Sequence, residues 1–128
     1  MDKVRLAGTD INMMVGREEM IFAATMMGAK GAMVGTATIF PEILVRIYNA
    51  TLSGDYVTAR NLQLAVCLAI RAMFSIQFPL GFKAAMEVRG FKMGPSKTAL
   101  TDADKARAEA TKGRLHSILS ELFEYADI

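Results

Sequence analysis

Tryptophan is absent from this 128-residue chain, cysteine and histidine occur once each, and proline three times. With Cys67 alone there is no internal disulfide, and a cytoplasmic location is expected. Cys67 lies in an apolar helical run and reads as a structural residue. His116 has no second ligand at a metal-binding spacing, so a surface or packing role is expected and no metal site. No apolar run reaches the roughly 18 residues that a membrane span requires; Ile21 to Val34 is broken by Gly28, Lys30 and Gly31. Met1 to Ala7 is too short and too charged for a secretion signal. The net charge of +2 is not concentrated anywhere. Lys105, Arg107 and Lys112 alternate with Asp102, Asp104 and Glu109, a mixed solvated face that excludes a nucleic-acid footprint. Paired carboxylates, a nucleophile elbow, a phosphate loop and a dinucleotide fingerprint are all missing, and no cofactor is expected.

What is abundant is apolar surface. Hydrophobic residues make up 52% of the chain, ten of them Met, more than one small domain easily hides, so self-association into a homo-oligomer is expected. Lys3 to Ala7 reads as a short strand, followed by a turn at Gly8-Thr9-Asp10. Arg17 to Met27 reads as a helix with Glu18 and Glu19 in its first turn, where the macrodipole favours acids. Met20, Ile21, Ala24 and Met27 recur at helical spacing, and Gly28 stops the helix. Gly31 to Gly35 has no polar alternation, as expected of a strand buried on both faces. Strand, helix, strand is a βαβ unit with parallel strands.

From Phe40 onward the pattern is helical. Pro41 opens a helix to about Leu52 that buries Leu44, Ile47 and Tyr48. Ser53-Gly54-Asp55 breaks the chain and caps a long helix from Asp55 to about Gln77, with Leu62, Val66, Ala69, Ile70 and Met73 as its core stripe. Pro79 and Gly81 precede a short helix to about Arg89, and Gly90 to Leu100 is a loop. Thr101-x-x-Asp104 predicts a capping box on a last helix to about Tyr125, lined by Leu115, Ile118, Leu119, Leu122 and Phe123. Two parallel strands neither close a barrel nor make a stable open sheet. The fold class expected is therefore an α/β fragment, mostly α, divided into 1–52, with the strands and two helices, and an all-helical 53–128.

Several segments, in order, carry a resemblance: Leu6-Ala-Gly-Thr-Asp10, Gly28-Ala-Lys-Gly-Ala-Met-Val-Gly35, Pro41-Glu-Ile-Leu, Ser53-Gly-Asp-Tyr-Val-Thr-Ala-Arg60 with Leu62-Gln63, Phe82-Lys-Ala-Ala-Met, Arg89-Gly90, and Gly94-Pro95 running to Leu100-Thr101. Their order and spacing resemble the C-terminal part of the dihydrodipicolinate synthase and N-acetylneuraminate lyase family. The resemblance implies the last two βα units of a (β/α)8 barrel followed by a three-helix extension. It implies aldolase-type or lyase chemistry through a Schiff base between a lysine and pyruvate or another 2-oxo acid. The Schiff-base lysine, on the sixth strand, and the proton-shuttling tyrosine, on the fifth, have no counterpart here.

The same resemblance assigns substrate contacts to Gly8 and Asp10 in the turn after the seventh strand, and to Met33 and Gly35 on the eighth. Sialic-acid lyases place a second acid after the aspartate of that turn and a serine at the position of Gly35; here Ile11 and Gly35 stand there, against a sialic-acid substrate. Thr38 replaces a usual asparagine. Read by themselves, Asp10 braces a turn, Gly8, Gly31 and Gly35 permit close packing, Met33 is core, and Thr36 and Thr38 satisfy backbone or cap a helix.

A Schiff-base lysine is partly desolvated so that it attacks as the neutral amine. Lys3 and Lys30 fall at the N-terminal ends of strands, the wrong end for a barrel site. Lys83 lies on a helix of the extension, and Lys92, Lys97, Lys105 and Lys112 look solvated. No catalytic residue is expected in this chain. It reads as a truncated member without independent catalysis or, alternatively, as a half-enzyme completed by self-assembly or a second chain. Bare strand edges favour an oligomer whose interface uses Val4, Leu6, Ala32 and Val34.

Overall fold

The computed structural model describes residue 6 and residues 11–127. Of the expected first strand, only Leu6 is described; it is helical in conformation and exposed, so no strand passes through it. The remainder of that segment, and the Gly8-Thr9-Asp10 turn with both candidate residues Gly8 and Asp10, lie outside the described residues.

The described strands are β1 (Met14–Val15) and β2 (Gly31–Ala32). They run parallel, with Met14 opposite Gly31 and Val15 opposite Ala32. The ladder is flanked by Lys30 N–H donating to the Met13 carbonyl at 2.8 Å and Met33 N–H donating to the Val15 carbonyl at 2.9 Å. The second strand is shorter than the expected Gly31–Gly35, because its partner ends at Val15. Val34 is still extended, but Gly35–Thr38 already forms a 3-10 turn.

Between the strands, Glu18–Met20 is a 3-10 turn leading into α1 (Ile21–Met26). Only Ile21 of the expected apolar stripe is buried; Met20 and Met27 are exposed. Helix α2 (Pro41–Ser53) starts on Pro41, whose fixed φ and missing N–H suit the first turn. It ends at Gly54 with φ 84, a left-handed cap that a Cβ would strain. Asp55 accepts the Thr58 N–H and caps α3 (Tyr56–Met73).

The long helix stops four residues before the expected Gln77. Here the chain reverses so tightly that a Cβ on Gly81 would come 1.9 Å from the Met73 carbonyl oxygen. Ser75 Oγ donates to the Ala72 carbonyl and finishes the turn. Helix α4 (Leu80–Val88) and helix α5 (Asp102–Tyr125) complete the chain. The capping box on α5 is present: Thr101 accepts from the Asp104 N–H, and the Asp104 carboxylate accepts from the Thr101 N–H.

The chain divides into two compact units, Met1–Cys67 and Leu68–Ile128. The first has its core in Ile39, Phe40, Ile43, Ile47, Ala59, Leu62 and Val66, all at most 2% exposed. In the second, Ala69, Ile70, Met73, Ala85, Leu115 and Leu119 are buried as completely. The expected stripe of the long helix is thus core throughout. Fully burying a large aliphatic side chain contributes about 1.5–3 kcal/mol, and these residues hold each unit together. Among the described residues, no helix is long and apolar enough to cross a membrane.

Candidate functional site

In α/β folds, loops at the C-terminal ends of parallel strands gather the groups that meet a ligand. At that end, β1 is followed by Gly16-Arg17-Glu18-Glu19 and β2 by Met33-Val34-Gly35-Thr36. The two segments meet through Glu18. Glu18 is 6% exposed, and its Oε1 accepts the backbone N–H of the fully buried Thr36 at 3.4 Å. A buried carboxylate needs such donors, because an unpartnered charge away from water is costly.

Glu19 turns the other way. Its Oε1 accepts from the Arg17 guanidinium at 3.3 Å, while its Oε2 is buried without a hydrogen-bond partner. The Thr36 hydroxyl is likewise buried and unpartnered. The end of the sheet therefore carries two buried oxygens with unused hydrogen-bonding capacity, Glu19 Oε2 as an acceptor and Thr36 Oγ1 as donor or acceptor.

Of the candidate contacts that follow β2, Met33 is 79% exposed, which overturns its reading as core, and Gly35 opens the 3-10 turn. Thr38 satisfies backbone as expected, donating to the Gly35 carbonyl at 2.8 Å, whereas Thr36 neither caps α2 nor faces solvent. Met33 and Gly35 thus stand at the same strand end as Glu18 and Glu19.

Beside β2, Met14, Ile21, Gly31, Val34, Leu44 and Tyr48 line an apolar groove of about 250 Å³. Gly31 makes room there: a Cβ on it would meet the Met14 methyl at 2.8 Å. The Tyr48 hydroxyl donates to the Lys30 carbonyl at 3.0 Å, so its polar end is already used.

Lys30 precedes β2 and is exposed. Lys83 Nζ donates to the Gly94 and Pro95 carbonyls, both at 2.9 Å, and so pins the loop that follows α4. Lys112 donates to Glu87 at 2.7 Å, and this hydrogen bond raises its pKa, opposite to what a nucleophilic amine needs. Among the described residues, no group of three or more His, Cys, Asp or Glu side chains could hold a metal ion.

From the sequence alone, Glu18 and Glu19 read only as a helix start and Gln63 only as part of the Leu62-Gln63 segment of the resemblance. A signal was available for each. Met13-Met14-Val15 is a short apolar run ending in a glycine and two acids, and Gln63 is a polar residue within an apolar stripe.

Residues 1–120 match the family model described as the dihydrodipicolinate synthetase family. The 4-hydroxy-tetrahydrodipicolinate synthase of Methanospirillum hungatei is 32% identical over 111 residues, covering 87% of this chain and 37% of the relative. That of Fervidobacterium nodosum is 30% identical over 105 residues, covering 82% and 36%. A solved dihydrodipicolinate synthase from Bacteroides thetaiotaomicron superposes with a TM-score of 0.65 at 25% identity, covering 88% of this chain and 38% of that one. The chain thus spans a little over a third of the length of the relatives it matches.

Proposed function

Since this chain belongs to the dihydrodipicolinate synthetase family, we propose that it supplies the C-terminal strand ends and helical extension of a Schiff-base lyase barrel, without a catalytic lysine of its own. The strands β1 and β2 are then the last two of the barrel, and pyruvate or another 2-oxo acid is the substrate class. The observation that carries this reading is the strand end itself. Acidic and hydroxyl side chains converge there, while the described lysines are exposed, tied to carbonyls or paired with a carboxylate.

Within this reading, Met33 and Gly35 belong to the substrate wall, with Gly8 and Asp10 as the turn the resemblance pointed to. The turn that follows the described strand is Gly16-Arg17-Glu18-Glu19, a glycine, one residue and two acids. Glycine, one residue and an acid also describe Gly8 and Asp10, and the described turn is a second candidate for the same wall contact.

Borohydride trapping with pyruvate, read by intact mass on the folded chain, tests the proposal. No adduct is expected; a covalent adduct on any of its lysines would refute catalytic incompleteness.

A second reading, completion of the site by another copy or a second chain, is favoured by the apolar groove beside β2 and by the two-residue strands. Mixing with a chain that carries the N-terminal two-thirds of a family barrel tests it. The expected result is a pyruvate adduct on the partner's lysine that forms only when both chains are present.

A further inference from the structure

Gln63 stands on the core side of α3 beside Leu62 and Val66 and is itself 6% exposed. A primary amide buried there must find partners for both its oxygen and its nitrogen. Nε2 donates to the Glu18 carbonyl at 3.0 Å, and Oε1 accepts the Phe22 N–H at 2.9 Å. Glu18 and Phe22 are four residues apart, and their carbonyl and N–H are the two groups an α-helix joins to each other. The amide of Gln63 reaches both groups, and the intervening residues Glu18–Met20 are a 3-10 turn. A side chain entering the helical ladder is a recognised cause of such a local change.

We infer that Gln63 is a positioning residue for the strand-end wall. It holds the first turn after β1 so that the Glu18 carboxylate reaches Thr36 at the end of β2, while Arg17 faces outward and pairs with Glu19. Its action passes through the backbone of Glu18 and Phe22, and it touches no ligand. The importance of this clamp for substrate rests on the function proposed above; the clamp itself does not.

The experiment is amide exchange and NMR on the full-length chain carrying Gln63→Leu or Gln63→Glu, without any ligand. In Gln63→Leu, exchange at the Phe22 N–H should accelerate more than tenfold. The Glu18 carboxyl and Thr36 amide resonances should move, and the amides of α2 should keep their protection. In Gln63→Glu, the carboxylate still accepts from Phe22 but has no proton for the Glu18 carbonyl. Phe22 stays protected and Thr36 moves.

Unchanged Phe22 and Thr36 signals would overturn the inference, as would uniform loosening of all amides in residues 11–67. If Gln63→Leu does not fold, the shift of Thr36 with retained Phe22 protection in Gln63→Glu decides the matter alone. Because these readouts need no substrate, they stand or fall separately from the trapping experiment with pyruvate.

Discussion

The two compact units are held together in different ways. In residues 68–127, helical elements satisfy most of their backbone groups locally; Lys83 reaches another segment's carbonyls, and the ties between helices run from side chain to side chain. Lys112 meets Glu87 at 2.7 Å, Arg89 lies over the Phe123 ring at 4.5 Å, and Phe74 and Phe78 meet the edges and faces of Phe82. In residues 11–67, polar ties run between positions distant in sequence: Gln63 to Glu18 and Phe22, Glu18 to Thr36, Tyr48 to Lys30. The helical unit follows from local rules. The strand-bearing unit depends on side chains that act on another segment's backbone, and those make the candidate site.

The sharpest test of this contrast is Ile47→Ala, which empties a fully buried position in the first unit. A loss of about 4 kcal/mol is expected. Amide exchange should show it concentrated in residues 11–67; equal loosening of α5 would mean that the two units unfold as one. Gly81→Ala strikes the second unit, where the new methyl must displace the Met73 carbonyl. Denaturant unfolding should register about 3 kcal/mol, and protection should fall first in α4. An unchanged midpoint would show that the close approach is not maintained in solution.

Thr101→Ala removes the capping-box hydroxyl and should cost about 1 kcal/mol, with Thr101→Ser restoring most of it. The smallest effect is that of pH. Hydrogen bonds from Thr101 hold the Asp104 carboxyl below its usual value, and bonds from Thr58 do the same for Asp55. A depressed folded-state pKa means that the contribution is complete above the unfolded value and disappears as pH falls through the folded one. Fraying of the α5 and α3 N-termini is therefore expected only below the ordinary carboxylate range. Circular dichroism with Asp104→Asn as control checks it; fraying that begins near neutrality would contradict the assignment.

The same contrast explains what could be read from the sequence. Pro41, Gly54, the Leu62–Val66–Ala69–Ile70–Met73 stripe and the Thr101–Asp104 box each act within a few residues of themselves, and each is found in the role expected of it. The end of α3 was not legible, because it depends on Gly81 lying against Met73. The strand Met14–Val15 was missed because two residues leave no alternation to detect, and Met33 looked like core because its exposure depends on where the sheet ends. Of the candidate site, Met33 and Gly35 follow the C-terminal end of β2. The turn across from them was legible only as a helix start, since nothing local announces that Glu18 will bond to Thr36.

The parallel pair has a further consequence, for the order in which the chain assembles. Joining Met14 to Gly31 requires closing a loop that contains all of α1, and the reward is a ladder only two residues long. Helices form on the microsecond scale or faster, and contacts between distant residues come later. The sheet is therefore expected to form after the helices and to open before them, and the Lys30 and Met33 amides that flank it would report that opening in hydrogen exchange.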